Sequence, residues 1–189
     1  MQAASCFIAS AVCAIAAASC FKANQRYRGA IDVSLGGAMN VPERVWPFYD
    51  AAYLNDFIAV AASKRTSLGN SVLELYVRPT LLWIDVGFAI FCAAFAALFW
   101  IAVLAVVPDQ PVVGRFLLFF IIMSVGYGIS DVAEDLWLVR LFSKGGSVTA
   151  AEGFIASLFT QVKLVTISLS IVGGLLFTLC SKIFAKTRI

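Results

Sequence analysis

The sequence predicts an all-α, polytopic membrane protein, a bundle of four transmembrane helices with a helical cap on the side of its one long loop. Three observations predict it. Apolar residues make up 61% of the 189 positions and charged residues only 13%, with a mean hydropathy of +0.92, a balance far from that of soluble domains. Three apolar stretches, residues 80–107, 116–142 and 154–181, are each long enough to cross about 30 Å of hydrocarbon at about 1.5 Å per residue. The charges, finally, gather toward the ends of these stretches and in the segments between them.

The first span is expected at residues 1–21, MQAASCFIASAVCAIAAASCF. It is long enough to cross but rich in Ala, Ser and Cys, which insert weakly by themselves. A secretory signal is the alternative, yet no basic n-region precedes the apolar run. Cys6, Ser10, Cys13, Ala17 and Cys20 follow one another at +4, +3, +4 and +3, a seam of small side chains suited to close helix contact. That favours a retained span, with the cysteines as packing residues.

The long connection covers residues 22–79. Its first part, KANQRYRGAIDVSLGGAMNVPER, is polar and glycine-containing and reads as irregular. Its second part reads as a surface helix over about 51–63, capped by Asp50, with Ala52, Tyr53, Phe57, Val60 and Ala61 marking the apolar face and Gly69 closing the segment. Asn70 is the expected cap of SVLELYVR, which leads to Pro79 and the second span. The PDQP turn at 108–111 makes spans two and three antiparallel neighbours, and Thr149 with Glu152 forms a capping-box pattern ahead of span four.

Uncharged lengths place the charges in depth. Residues 86–108, 116–130 and 164–181 carry no charge, or about 35, 23 and 27 Å of helix. Because chain direction alternates, Asp85, Asp131 and Lys163 fall toward the loop face, with Asp131 the deepest. Trp83 and Trp137 share that level as an aromatic belt, and Trp100 suits the opposite interface.

Rotation around each helix follows from spacing. Asp85, Ala89, Cys92 and Ala96 make one stripe; Ser124, Gly128, Asp131 and Asp135 a second; Lys163, Thr166, Ser170, Gly174 and Thr178 a third. Stripes of small residues are where membrane helices meet, so the charges should face other helices. Asp85, Asp131, Glu134, Asp135 and Lys163 are therefore the candidate site. Asp131 and Asp135 stand one turn apart and repel unless a proton or cation intervenes. Lys163 is the expected counter-charge, with Arg140 and Arg78 serving the outer acids. Four acids against three bases leave one carboxyl over.

Several classes are disfavoured. The chain has no histidine, and its five cysteines lie in apolar runs without a CxxC. That removes the commonest general base and metal ligand and argues against disulfide, metal or thiol-redox sites. No cofactor is implied. The net charge of +3 is spread without a basic run, so nucleic acid is not an expected partner. Lipid is, and another membrane protein or a second copy of this chain is compatible with the pattern, in a plasma or inner membrane.

Three functional readings remain. In the first, the charged layer is a latch that fixes helix order in a structural or partner-binding protein, with Glu134 and Asp135 facing interfacial water. In the second, the same residues line a pocket for a cation, proton or polar head group, as a binding or transport site. In the third, paired carboxylates hold Mg²⁺ for phosphoryl chemistry, although no phosphate-cradling glycine loop or nucleophile accompanies them.

At the third span, Asp131 and Glu134 after FLLFFIIMSVGYG resemble the Asp-x-x-Glu-Asn motif of uncharacterised small four-span integral membrane proteins. Asp135 stands where Asn is usual. The resemblance extends to Asp85 in LLWID and to QVK at 161–163, covering residues 70–180. It implies a compact four-helix membrane bundle and brings no activity with it.

Overall fold

A computed structural model describes residues 2–45, 48–107 and 111–177 of the chain. Six α-helices run in order through the described residues: α1 (Gln2–Leu35), α2 (Ala51–Ser63), α3 (Val72–Leu75), α4 (Val86–Val106), α5 (Pro111–Ser143) and α6 (Ala150–Ser168). A 3₁₀ turn at Pro42–Arg44 and two π-type stretches, Tyr76–Asp85 and Leu169–Gly173, complete them. The fold is all-α. Four helical stretches, Ala3–Leu35, Val72–Val106, Pro111–Ser143 and Ala150–Phe177, are long and apolar enough to cross a bilayer. The expected 178–181 end of the last span, the centre of the PDQP turn, Thr178 and Cys180 lie outside the described residues.

The first helix departs most from expectation. It does not stop near residue 21 but continues to Leu35 through the stretch that reads as irregular. Its 34 residues extend about 51 Å, well beyond a hydrocarbon thickness. Polarity ends a span without ending a helix: Lys, Gln, Arg and Ala propagate helices well, and no proline interrupts before Pro42. The helix stops where Gly36 and Gly37 take φ of 64° and 74°, left-handed conformations costly for other residues.

Local signals explain the other boundaries. Asp50 caps α2, accepting from the Tyr53 amide at 2.8 Å, as expected. This helix closes at Ser63, as expected, and Gly69, at φ 88°, turns the short link to α3. The α3 cap is Ser71, not Asn70: Ser71 and Glu74 complete a reciprocal capping box that an Asn one residue earlier cannot form. The Thr149–Glu152 box opens α6 as expected. Arg78 leaves helical geometry at φ −137°, ψ 121°, which follows from the proline after it.

Packing gives the bundle two unequal cores. The larger lies at the loop end, where Ile31, Leu35, Leu54, Phe57, Val72, Tyr76, Leu81, Leu138 and Leu141 are buried together. Each such side chain contributes about 1.5–3 kcal/mol where the alternative is water. The smaller core, Trp100, Leu117 and Phe120, sits at the opposite end. Helix α1 packs along α4, and α5 lies between α4 and α6. The small-residue seam of α1 faces α4, with Ser10 donating to the Phe95 carbonyl at 3.0 Å.

Trp100 corrects a further expectation. It is buried at 3% exposure rather than set at an interface. Its Nε1 donates to Ser170 Oγ at 3.2 Å, and a Cβ added at Gly174 would collide with its ring. The stripe glycine leaves room for the indole, so α4 and the helical continuation of α6 past Ser168 close against each other at the end away from the loop.

Candidate functional site

Between the two cores, the charged stripes of α4, α5 and α6 meet. All four carboxyls of the candidate site are buried: Asp85 at 8% exposure, Asp131 at 8%, Glu134 at 0% and Asp135 at 2%. Glu134 and Asp135 therefore do not face interfacial water, contrary to the latch reading as the sequence framed it. Stripe spacing accounts for Asp131 and Asp135, which follow Ser124 and Gly128 on one α5 face. Glu134 sits on the neighbouring edge of that face, against α6.

Lys163 is the counter-charge the sequence indicates. Its Nζ lies 2.8 Å from Asp131 Oδ1 and 2.5 Å from Glu134 Oε2. One ammonium thus bridges two carboxyls one helical turn apart. Glu134 is further held by the Tyr49 hydroxyl, which donates to Oε1 at 3.0 Å, and by the Thr160 hydroxyl, which donates to the same oxygen. Burial pushes the Tyr49 phenol well above its ordinary range, with nearby Glu134 adding to the shift. Tyr49 therefore stays a proton donor across physiological pH.

Arg78 and Arg140 do not serve the outer acids. Arg140 stacks over the Trp137 ring at 5.2 Å, and Arg78 lines a separate cavity with Asn70, Glu74 and Phe142. The second cation of the cluster is Arg28, which reaches Asp85 at 3.5 Å and Glu43 at 3.8 Å. Asn24, one turn before Arg28 on α1, donates to Asp85 Oδ1, and the Tyr76 hydroxyl donates to Glu43. Asn24 and Arg28 escape sequence reasoning because both depend on the helical continuation of α1 past residue 21. The spacing of Asn24, Arg28 and Asp32 at +4 is the signal in the chain that points to one shared face.

Asp135 differs from the rest. Its Oδ2, like Glu134 Oε2, is buried without a hydrogen-bond partner, but Glu134 Oε2 meets Lys163, whereas no ion pair to Asp135 is found among the described residues. The side chain lines a cavity of about 340 Å³, within the about 300–1,000 Å³ usual for small-molecule sites. Arg28, Glu43, Asp85, Asp131, Asp135 and Lys163 form its polar end. Phe88 and Cys92 of α4, Tyr127 of α5, and Leu164, Ile167 and Ile171 on the α6 side form its other walls. The cavity is a groove between α4 and the α6 side over α5, with Arg28 and Glu43 at its loop end and the contact of Trp100 with Ser170 and Gly174 beyond its other end.

A second cavity, about 510 Å³, opens where the start of α2 meets α6, lined by Phe48, Tyr49, Asp50, Phe154, Ser157 and Gln161 among others. A hydrogen bond from Tyr49 to Glu134, followed by the ion pair of Glu134 with Lys163, connects it to the first. Close packing holds this junction: a Cβ at Gly153 would approach the Ala51 backbone nitrogen to 2.6 Å.

Among the described residues no three Asp, Glu or Cys side chains converge closely enough to hold a metal ion. The carboxyls are spread along the groove, each presenting oxygens to a different part of it. What they can do as a set is accept hydrogen bonds from a cationic group that already carries its own donors.

Fold and site together define a class: an all-α chain with four helices able to span a bilayer and a carboxyl-rich groove between two of them. A scan against protein-family models, a search of curated proteins and a search of solved structures each find no match to this chain.

Proposed function

We propose that this is an integral membrane protein that binds a small organic cation or cationic head group in the groove between α4 and α6. The observation that carries the reading is Asp135, a carboxyl at 2% exposure that has an unpartnered oxygen and belongs to a side chain lining the cavity. Leaving a buried acceptor unmet costs about 1–3 kcal/mol, more for a charged group, and a ligand that donates to it would offset that cost. The carboxyl excess supports the sign. Glu43, Asp85, Asp131, Glu134 and Asp135 share two cations, Arg28 and Lys163.

A second reading has its own observation. Lys163 bridging Asp131 and Glu134 is a sufficient internal latch, with Tyr49 and Thr160 completing the acceptors of Glu134. The two readings divide the cluster: Glu134 and Lys163 hold helices together, whereas Asp135 and the groove-facing edge of Asp85 meet the ligand.

The test is binding of ethylammonium to the purified full-length protein in nanodiscs, followed by calorimetry, against the Asp135→Asn variant. Saturable binding abolished by the substitution is expected. Equal heats from the two proteins would overturn the proposal.

A further inference from the structure

We infer that the occupant of this groove is a lipid with a primary-amine head group, entering sideways between α4 and α6 from the bilayer. The inference rests on the cation-binding reading above and adds the identity and the route of the ligand.

The groove is graded in polarity along its length. Chain direction puts Asp85, Asp135 and Lys163 at its loop end, and Cys92, Tyr127 and Ile171 lower down. From Lys163 to Ile171 is eight residues, about 12 Å of helix. The α6 side carries Leu164 beside Lys163 and Ile167 and Ile171 below it, of which Leu164 is 41% exposed and Ile171 39%. Phe88 edges the opposite wall. A water-soluble cation has no use for an apolar lower half. An amphiphile does: its head reaches Asp135 while its first methylenes lie against Phe88, Leu164, Ile167 and Ile171.

The mouth faces sideways. Helices α4 and α6 each pack on α5, and they close on each other at Trp100, Ser170 and Gly174. The gap between them above that point opens toward the surroundings of the spans. Above the groove, Arg28 and Glu43 are joined, with Tyr76 on Glu43, to form a roof. Entry past this roof would displace Arg28 and Glu43, whereas the side between α4 and α6 is edged by the half-exposed Leu164 and Ile171.

Head-group chemistry follows from the acceptors. Quaternary ammonium groups carry no N–H and are recognised by aromatic cages. This lining has only Phe88 and Tyr127 as aromatics, set against four carboxyls. A primary ammonium has three donors for such oxygens, and Asp135 offers an unmet one. The phosphodiester beside that ammonium would find Arg28, whose Nε donates to Asn24 Oδ1 at 3.0 Å and whose Nη2 reaches Asp85 and Glu43 at 3.5 and 3.8 Å, so that Nη1 is the donor left for it.

Native mass spectrometry of the full chain released from nanodiscs tests this, with phosphatidylethanolamine, phosphatidylcholine and phosphatidylglycerol in equal amounts. Soluble glycerophosphoethanolamine serves as a separate probe by calorimetry. The expected result is roughly tenfold greater retention of the ethanolamine lipid, lost in Asp135→Asn and in Leu164→Trp. The second substitution plugs the mouth from a half-exposed position and leaves every carboxyl in place, so it remains informative if the first unfolds. Equal retention of the three lipids, or an ethanolamine preference unaffected by Leu164→Trp, would overturn the inference. Asp135-dependent binding of glycerophosphoethanolamine without lipid preference would also overturn it, and would leave the cation-binding proposal standing. Failure of every amine probe would remove both.

Discussion

Replacing Lys163 with Met should be the most damaging single change in the protein, and its cost can be worked from the geometry. The lysine side chain is 14% exposed, and its ammonium touches Asp131 Oδ1 at 2.8 Å and Glu134 Oε2 at 2.5 Å, with the Glu134 side chain at 0%. Removing one partner of a buried ion pair costs about 3–5 kcal/mol, because the charge left behind has neither water nor a counter-ion. At about 1.4 kcal/mol per tenfold, the folded-to-unfolded ratio should fall by two to more than three orders of magnitude. Circular dichroism during titration with sodium dodecyl sulfate in mixed micelles reads this directly. The triple variant Asp131→Asn, Glu134→Gln, Lys163→Met should return to within about 1 kcal/mol of the parent, since a neutral layer leaves no orphaned charge and the amide oxygen introduced by Glu134→Gln can still accept from Tyr49 and Thr160. A plain exchange of Asp131 and Lys163 should fail, because a carboxyl at 163 would face Glu134. A Lys163→Met protein within about 1 kcal/mol of the parent, or a successful exchange, would refute the three-body latch.

Gly174→Ala would drive a Cβ into the Trp100 ring; the forced shift should cost about 1–3 kcal/mol and emerge as altered tryptophan fluorescence together with a lower unfolding midpoint. Gly128→Val should do the same from the α4 side, where even a Cβ lies 2.6 Å from Ala93. Asp135→Leu should leave stability unchanged or raise it by about 1 kcal/mol, since it removes an unmet buried acceptor, while abolishing amine binding; a large loss of stability would assign Asp135 a structural role instead. Ser71→Ala should cost about 0.5–2 kcal/mol through loss of the capping box, measured by the same titration, whereas Asn70→Ala should be close to neutral.

Depth and rotation of the charges are legible in the chain because both rest on counting. Uncharged lengths put Asp85, Asp131 and Lys163 at one level, and the +3/+4 stripes turn them inward; the Lys163–Asp131 contact follows from those two facts. What counting misses is tertiary. Asn24 and Arg28 enter the site because α1 runs helical to Leu35, and a polar sequence does not announce whether its backbone is helical or irregular. Trp100 departs from expectation for a related reason: an aromatic near a span end fits an interface equally well, until the glycine opposite it on another helix is known. The difference between Asp135 and its neighbours lies beyond the sequence as well. Four carboxyls of similar spacing look alike there, and it takes the inventory of partners to separate the three that meet a cation from the one that does not.

An experimental density map of the purified protein in lipid, read at the Asp135 carboxyl, bears most directly on the account. Ligand density contacting that carboxyl, continuous with a chain lying against Ile167 and Ile171, is the predicted result. A groove filled by the protein's own side chains, with one of them donating to Asp135, would contradict it.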